Sequence, residues 1–426
     1  MKKVDISIQN ISKVEGHADL DVKVRDGKVH AVHIKFTDNK RFFTQAIRRQ
    51  NIRVIPQSVA RICGTCSIAH TMCAIEAIEK ALDVEVTKQT ALMKKLIVNG
   101  LMIRDHALHM YMFSLPDVFR KDSVLDFNDR EKKFLYDAFA VKKAGNMLST
   151  AIGGRAVHAP LPQIGGFSKV PDVKALKECT SQLKTAREKL LDVMDVFYNC
   201  RIDYTRKTNF VALSSEKEFD FLEGDICSTT GICIPEQHFF GHLVKTVLPY
   251  SQAVGYRFKG KTYMVGALAR VNLNKERLHK ETRQDARKYL KIFPSDNIFH
   301  NNLAQGIEIM HCIDDSLGVI ESHDFRPEAP ARIIPKDAEG IGVIEAPRGT
   351  LFYRLAIDRN GLIKEGNIVV PTQQNQVNME LDIKKLVQEN LNRLGKEEIA
   401  LEIEKLIRAY DPCISCATHF LKVNWV

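Results

Sequence analysis

Cys63 and Cys66 in RICGTCSIAH, and Cys413 and Cys416 in DPCISCATH, give this 426-residue chain two pairs of thiols, each with a two-residue gap. That gap lets both sulfurs of a pair face one side of a tight turn, so each pair can hold one metal ion. Four sulfurs together suit a soft or borderline metal. Either the chain folds so that its two ends close one site, or the two pairs are unrelated.

Other chemistries are open to these thiols. A structural zinc ribbon would place its pairs roughly 12–20 residues apart, and here most of the chain separates them. A redox Cys-x-x-Cys would follow a strand in a βαβ unit, and no such pattern surrounds either pair. Cys73, Cys179, Cys200, Cys227, Cys233 and Cys312 show no comparable spacing. Cys227 and Cys233 could share a metal, but small buried apolar residues are the expected reading.

The elements around these residues change along the chain. Residues 4–9 and 18–36 read as strands, with Leu20, Val22 and Val24 alternating with polar residues and Asp26-Gly27 as a tight hairpin turn. After Cys66, Ile68, Met72, Ile75 and Leu82 follow a helical repeat. Segment 90–114 is apolar on most faces, which predicts a buried helix that carries Asp105, His106 and His109 inward. Further helices are expected at 131–150, 172–205, 280–292, 301–325 and 379–409, and strands at 341–371 around an Asn360-Gly361 turn. The stretch 205–275 is mixed. The fold class is therefore α+β and predominantly helical: a large helical-bundle core with small β elements near both ends.

The composition is that of a globular protein, 45% hydrophobic and 27% charged, and no apolar run is long enough to span a bilayer. MKKVDISIQN has no apolar stretch after its lysines, so it does not read as a signal peptide. Sparse cysteines without an export signal point to a reducing, cytoplasmic setting and to metal-binding thiols. The net charge of +10 is scattered among acids rather than gathered in a stripe, which argues against nucleic-acid binding.

With the elements in place, the motifs resemble those of nickel-iron hydrogenase large subunits. RICGTCSIAH resembles the family's N-terminal cysteine motif, and DPCISCATH its C-terminal one. KVEGH (13–17), GGRAVH (153–158), EAPRG (345–349) and VVPTQQN (369–375) resemble further elements, in family order along nearly the whole chain. The forms DHALH and NNLAQGIEI look most like the cytosolic multisubunit group of sulfhydrogenases and cofactor-reducing enzymes. The resemblance implies one large-subunit domain over residues 1–426. Cys63, Cys66, Cys413 and Cys416 would hold nickel, and Cys66 and Cys416 would also bridge to an iron carrying cyanide and carbonyl. It implies Cys413 as first proton acceptor, Glu15 as relay, and Arg348 over the open side of the metals, oriented by Asp105 and Asp411. Pro347 and Thr372 would line the pocket around the diatomic ligands. The implied activity is reversible cleavage of H2 to protons and electrons. The implied partners are an iron-sulfur small subunit, further electron-transfer subunits, nickel-insertion proteins and a maturation endopeptidase.

Taken singly, the same residues have plainer readings. Arg348 could be a surface ion-pair residue, Glu15 a capping residue, Asp105 the partner of a nearby base, and His17, His70 and His158 hydrogen-bonded core histidines. Two departures from the family pattern stand out. Thr44 replaces a glutamate that helps hold a remote magnesium or iron near the C-terminus, which leaves that site to water and His419 or removes it. Lys13 replaces an arginine. After His419, FLKVNWV (420–426) is a candidate cleavable peptide. A regulatory hydrogen sensor and a complex-I-like quinone-associated protein are the competing functions. The four cysteines argue against the second.

Overall fold

Four long helices pack in a ring, and the candidate site lies at one end of it. In the computed structural model, which describes residues 3–38 and 42–418, an antiparallel meander comes first: β1 (Lys3–Ile8), β2 (Ala18–Arg25) and β3 (Lys28–Phe36). Leu20, Val22, Ile34 and Phe36 turn inward. Asp26 and Gly27 both take positive φ, as the hairpin turn requires. Then follow α1 (Ser67–Ala81), α2 (Lys88–Ala107), α3 (Lys132–Gly153) and α4 (Val173–Asn199). A three-stranded sheet, β4 (Val211–Ser214), β5 (Asp225–Ser228) and β6 (Cys233–Ile234), precedes a hairpin of β7 (Leu243–Val247) and β8 (Val254–Phe258). After α5 (Ala267–Asn274) and α6 (Asn301–Ser322) comes a last sheet, β9 (Ala338–Ala346), β10 (Gly349–Ile357) and β11 (Ile363–Val369). The described chain closes with α7 (Pro371–Asn390), α8 (Lys396–Ala409) and α9 (Ile414–Ala417).

The ring is α2, α3, α4 and α6, each packed on the next. Helix α2 is buried along most of its length, as its apolar faces predict, and runs on into a π-helical turn, Leu108–Ser114. It meets α3 backbone to backbone. A methyl group on Gly100 would press on Ser149, and one on Gly145 on the Arg104 amide, so only glycine allows this approach. The crossing fixes the depth of Arg104 and Asp105, one turn beyond Gly100. Helix α1 lies just as close to β9, where side chains on Gly340 and Gly342 would overlap the carbonyls of Ala77 and Cys73.

The α+β class with small sheets near both ends holds, and β4 to β8 add further sheet in the stretch that reads as mixed. Several expectations need correction. The helix expected at 379–409 is two helices broken before Gly395, and the first begins at Pro371, well ahead of the expected start. Its first turns, PTQQNQ, are polar yet fully buried, so an apolar period does not reveal them. Helix α4 ends at Asn199, and 280–292 forms only short turns of helix. Cys227 and Cys233 are neither metal ligands nor plain apolar residues. They face each other across the β5–β6 hairpin and form a disulfide. His17 is exposed rather than in the core, paired with Asp38 at 2.9 Å. His419 and the peptide 420–426 lie outside the described residues. No helix among the described residues is long and apolar enough to cross a membrane.

Polar side chains of α7 join the first sheet to the end of the chain. Strand β3 is an edge strand with unpaired backbone groups. The Val29 amide donates to Gln388, the Ile34 amide to Glu380, and the Ile34 carbonyl accepts from Gln376. Burial pushes the Glu380 carboxyl up to about 7, against the pull of the Ile34 amide and the Tyr250 hydroxyl. A raised carboxyl favours the folded state while it stays neutral. Its contribution is complete below the unfolded value near 4.5 and lost as pH rises through about 7. Glu380→Gln accepts the same bonds without titrating. It is expected to flatten the fall in melting temperature between about pH 5 and 8 and to be more stable than the parent at about pH 8, by about 2 kcal/mol. Thermal melts of both proteins across that range check this.

Candidate metal centre

The two cysteine pairs meet. Cys63 follows a short turn, Ala60–Ile62, in extended conformation, and Cys66 is the N-cap of α1. Cys413 is the N-cap of α9, and Cys416 lies within it. The sulfurs of Cys63 and Cys413 are 3.4 Å apart, those of Cys66 and Cys416 3.0 Å, and those of Cys413 and Cys416 2.9 Å. All four fall within 4.8 Å of one another and are buried. The second pair is held by backbone. Glu15 and Cys413 form a parallel bridge, the Ile414 amide donates to the Glu15 carbonyl at 2.8 Å, and the Cys413 amide donates to Thr372 Oγ1 at 2.9 Å. Gly16, at φ +86°, leaves room for Ile414 and Ser415 to pass. One site is therefore closed from both ends of the sequence.

A small cavity beside the sulfurs is lined by His70, Pro347, Arg348, Leu351, Pro371 and Thr372. Arg348 is buried, not a surface residue. Its Nη1 binds Asp105 at 2.6 Å and its Nη2 binds Asp411 at 2.9 Å. Asp411 also accepts from Gln305, which contacts His109 in the π-helical turn. Although burial opposes its charge, the carboxylates of Asp105 and Asp411 hold the Arg348 guanidinium well above its usual range. His70 reaches Cys416 Sγ at 3.5 Å and Tyr353 at 2.8 Å. Glu15 serves as a cap as well as a neighbour of sulfur: its Oε2 accepts from the Ser415 amide at 3.0 Å and from Cys413 Sγ at 3.1 Å. Burial, then the charge of Cys63, pushes the Glu15 carboxyl up. Burial likewise raises the Cys413 and Cys416 thiols, whereas hydrogen bonds from Cys413 and Cys416 lower Cys63.

This donor set fits a soft metal group. Four sulfurs stand closer than uncharged sulfurs rest in ordinary contact, and a shared cation would draw off their protons and relieve the crowding. Asp105 Oδ1 and Arg348 Nε are buried without hydrogen-bond partners, which leaves polar atoms available to a bound group. Around the site, Lys13 takes Asp117 at 2.8 Å, a carboxylate that also receives both arms of Arg408. Thr44 sits half-buried on the short helix Phe43–Ala46, and its expected counterpart His419 lies outside the described residues. His158, half-buried, receives no metal neighbour among the described residues; its amide donates to Ser67 at 3.0 Å. A second cluster, His279, Glu281 and Asp314, comes together where the short helix Lys280–Asp285 packs on α6, but Asp314 is already taken by Arg187 and Thr282.

Of the buried arginines, Arg104 and Arg270, like Arg408, are not foreseen by the sequence reading. Arg104 donates to the Thr65 carbonyl at 2.6 Å and brings positive charge up to Cys63 and Cys66. Arg270 is wholly buried on α5. It binds both oxygens of Glu308 and one of Glu345, and donates to the carbonyls of Ala346 and Pro347 at 3.0 Å each. It thus fixes the backbone that delivers Arg348. The arginine's charge draws the Glu308 carboxyl down to about 2 despite burial. The only signal in the sequence is an arginine within the otherwise apolar run VGALARV. Arg270→Met leaves Glu308 and Glu345 buried without their guanidinium, although Glu308 keeps His106 and Glu345 keeps the Leu213 amide and Thr350, and is expected to cost about 3–5 kcal/mol. Arg354→Met breaks only the exposed pair with Glu339 and is expected to cost less than about 1 kcal/mol. Urea midpoints of the two variants measure the contrast.

The comparisons with known proteins agree with this geometry. A family model described as nickel-dependent hydrogenase matches residues 41–135 and 204–419. The chain is similar to the alpha chain of sulfhydrogenase 2 of Pyrococcus furiosus, 29% identical over 98% of this chain and 100% of that one. It is also similar to a chain of the vhc F420-non-reducing hydrogenase of Methanococcus voltae, 26% identical over 97% and 94%. Its fold matches the crystal structure of an NAD+-reducing [NiFe]-hydrogenase in the H2-reduced state, with a TM-score of 0.85 at 22% identity over 98% and 99% of the two chains. It also matches the Ni-Fe-Se hydrogenase of D. vulgaris Hildenborough, with a TM-score of 0.78 at 21% identity over 98% and 100%. With the family model spanning well over half of its length, this chain belongs to the nickel-dependent hydrogenase family.

Proposed function

We propose that this chain is the catalytic subunit of a nickel-iron hydrogenase that splits H2 reversibly and passes the electrons to an iron-sulfur partner. The observation that carries this reading is the convergence of four buried sulfurs with Arg348 above them and Glu15 at 3.1 Å from one of them. Cys63, Cys66, Cys413 and Cys416 would hold the metals. Pro347, Leu351 and Thr372 are the groups available to cyanide and carbonyl ligands on iron. Bound there, the nickel-iron group supplies the Lewis acidity that makes dihydrogen acidic enough to lose a proton.

The protein's own residues supply the rest. Cys413 accepts a proton at Sγ, and Glu15 Oε2 lies within reach to carry it outward. A carboxyl raised by burial takes up a proton more readily near neutrality than an ordinary one. Arg348 keeps fixed positive charge and N–H donors beside the cavity, since its guanidinium does not deprotonate and two carboxylates hold its plane. Electrons have a short way out. Gly64, between the first two cysteines, is exposed with open space above it, and Arg61, Arg155 and Val157 are exposed nearby in sequence or contact with α1. Among the described residues the remaining free cysteines form no second cluster, so the electron carriers belong to a partner.

Infrared spectroscopy with nickel and iron assays on the anaerobically purified native complex tests the reading. Cyanide and carbonyl bands with nickel near one per chain are expected. Absence of both from fully matured protein would overturn it. Glu15→Gln is expected to retain metals and bands while losing about 100-fold or more in H2 uptake and in D2/H+ exchange. Equal loss of metal would assign Glu15 to assembly instead.

A further inference from the structure

A groove of about 680 Å3 runs between α3 and α4, on the outside of the helical ring. Its floor is apolar: Met147, Ala151, Leu161, Val170 and Cys179. On α3 the apolar surface continues to Phe139 and Tyr136, 56% and 66% exposed and one turn apart, and Val173 at the start of α4 is 59% exposed. Such aromatic exposure on one helical stripe is unfavourable in water unless something covers it.

The rim is basic. Lys142 and Lys143 stand on one wall and Lys169 on the other, and none forms an ion pair among the described residues. Of the two acids on the rim, Asp172 is already engaged, accepting the amides of Lys174 and Ala175 as the N-cap of α4. A second large cavity, about 640 Å3 between α1 and α2, is different. Its Lys80, Lys94 and Lys95 are all paired with carboxylates, and acids outnumber lysines along its lining, so it offers little free positive charge.

We propose that the α3–α4 groove seats an acidic amphipathic helix of a partner protein. From Phe139 to Gly154 the α3 wall runs about 22 Å, the length of four helical turns. An apolar floor between two helices accepts a stripe of i, i+3, i+4, i+7 anchors. The free Lys142 and Lys143 on the α3 wall call for carboxylates along the facing flank of the occupant, and Lys169, which shares its wall with Asp172 and the exposed Glu178, for one on the other flank. A single-headed amphiphile, with its charge at one end, satisfies only one wall. No free strand edge lies in the groove, among the described residues, to take an extended peptide.

The test is photo-cross-linking in the native complex, with Phe139→benzoylphenylalanine and mass spectrometry of the adduct. The expected adduct is one segment of a partner protein, helical in pattern, with Asp or Glu flanking its apolar stripe. The combined variant Lys142→Glu, Lys143→Glu, Lys169→Glu should weaken binding of that partner by at least about 10-fold at low salt, with an unchanged melting temperature of this chain. The corresponding lysine-to-arginine variant should bind normally. An adduct with a second copy of this chain, with a lipid, with a segment lacking acids, or no adduct at all would overturn the proposal, as would unchanged binding after charge reversal. Metals and infrared bands are read on the same samples, so failure here is separable from failure of the hydrogenase reading.

Discussion

Everything at the metal centre depends on bringing together two pairs of sulfurs 350 positions apart in the sequence. No local preference does this. The link is backbone: the KVEGH turn lies beside the DPCISC turn, so the Glu15 carbonyl and carboxylate take the first amides of α9. Closing so large a loop costs several kcal/mol of chain entropy on the order of (3/2)RT ln n. The rest of the fold, with its ring of helices and its buried polar helix, supplies the burial that offsets this.

The second constraint is charge. Four sulfurs that must lose protons lie in a region closed to water, and the fold answers with guanidinium groups rather than with solvent. Arg104 approaches the first pair, and Arg348 faces the cavity. Each is itself held, Arg348 by Asp105 and Asp411, and its backbone by Arg270. From Arg270 the network continues through its ion pair with Glu308 to a hydrogen bond between Glu308 and His106 in the helical ring. A buried charge is tolerable only when paired and hydrogen-bonded, so the orientation of one arginine over the site rests on residues distributed across α2, α5 and α6.

Legibility in the sequence followed from these same causes. The paired cysteines, the hairpin at Asp26-Gly27 and the apolar face of α2 could be read because spacing and period report them directly. Glu15, Asp105, Arg348, Thr372 and Asp411 are named by motif resemblance alone; the fold places Glu15 and Thr372 against Cys413, and Asp105 and Asp411 against Arg348. The start of α7 was missed because its buried face is amide rather than apolar: Gln373, Gln374 and Asn375 serve the backbones of Ala417, Thr350 and Val265. Arg104 and Arg270 were missed because a charged residue in a helix reads as exposed unless its partners, which lie far away in sequence, are known. The Cys227–Cys233 disulfide depended on a hairpin register that the mixed middle stretch did not disclose.

The capping of β3 by α7 has a consequence beyond joining two ends of the chain. An edge strand with free amides is a template on which another strand can add, the first step toward domain exchange or fibrous aggregation. Here Gln376, Glu380 and Gln388 already occupy positions along that edge. The sheet is thereby finished at three strands, and this edge is closed to the addition of a second copy of the chain.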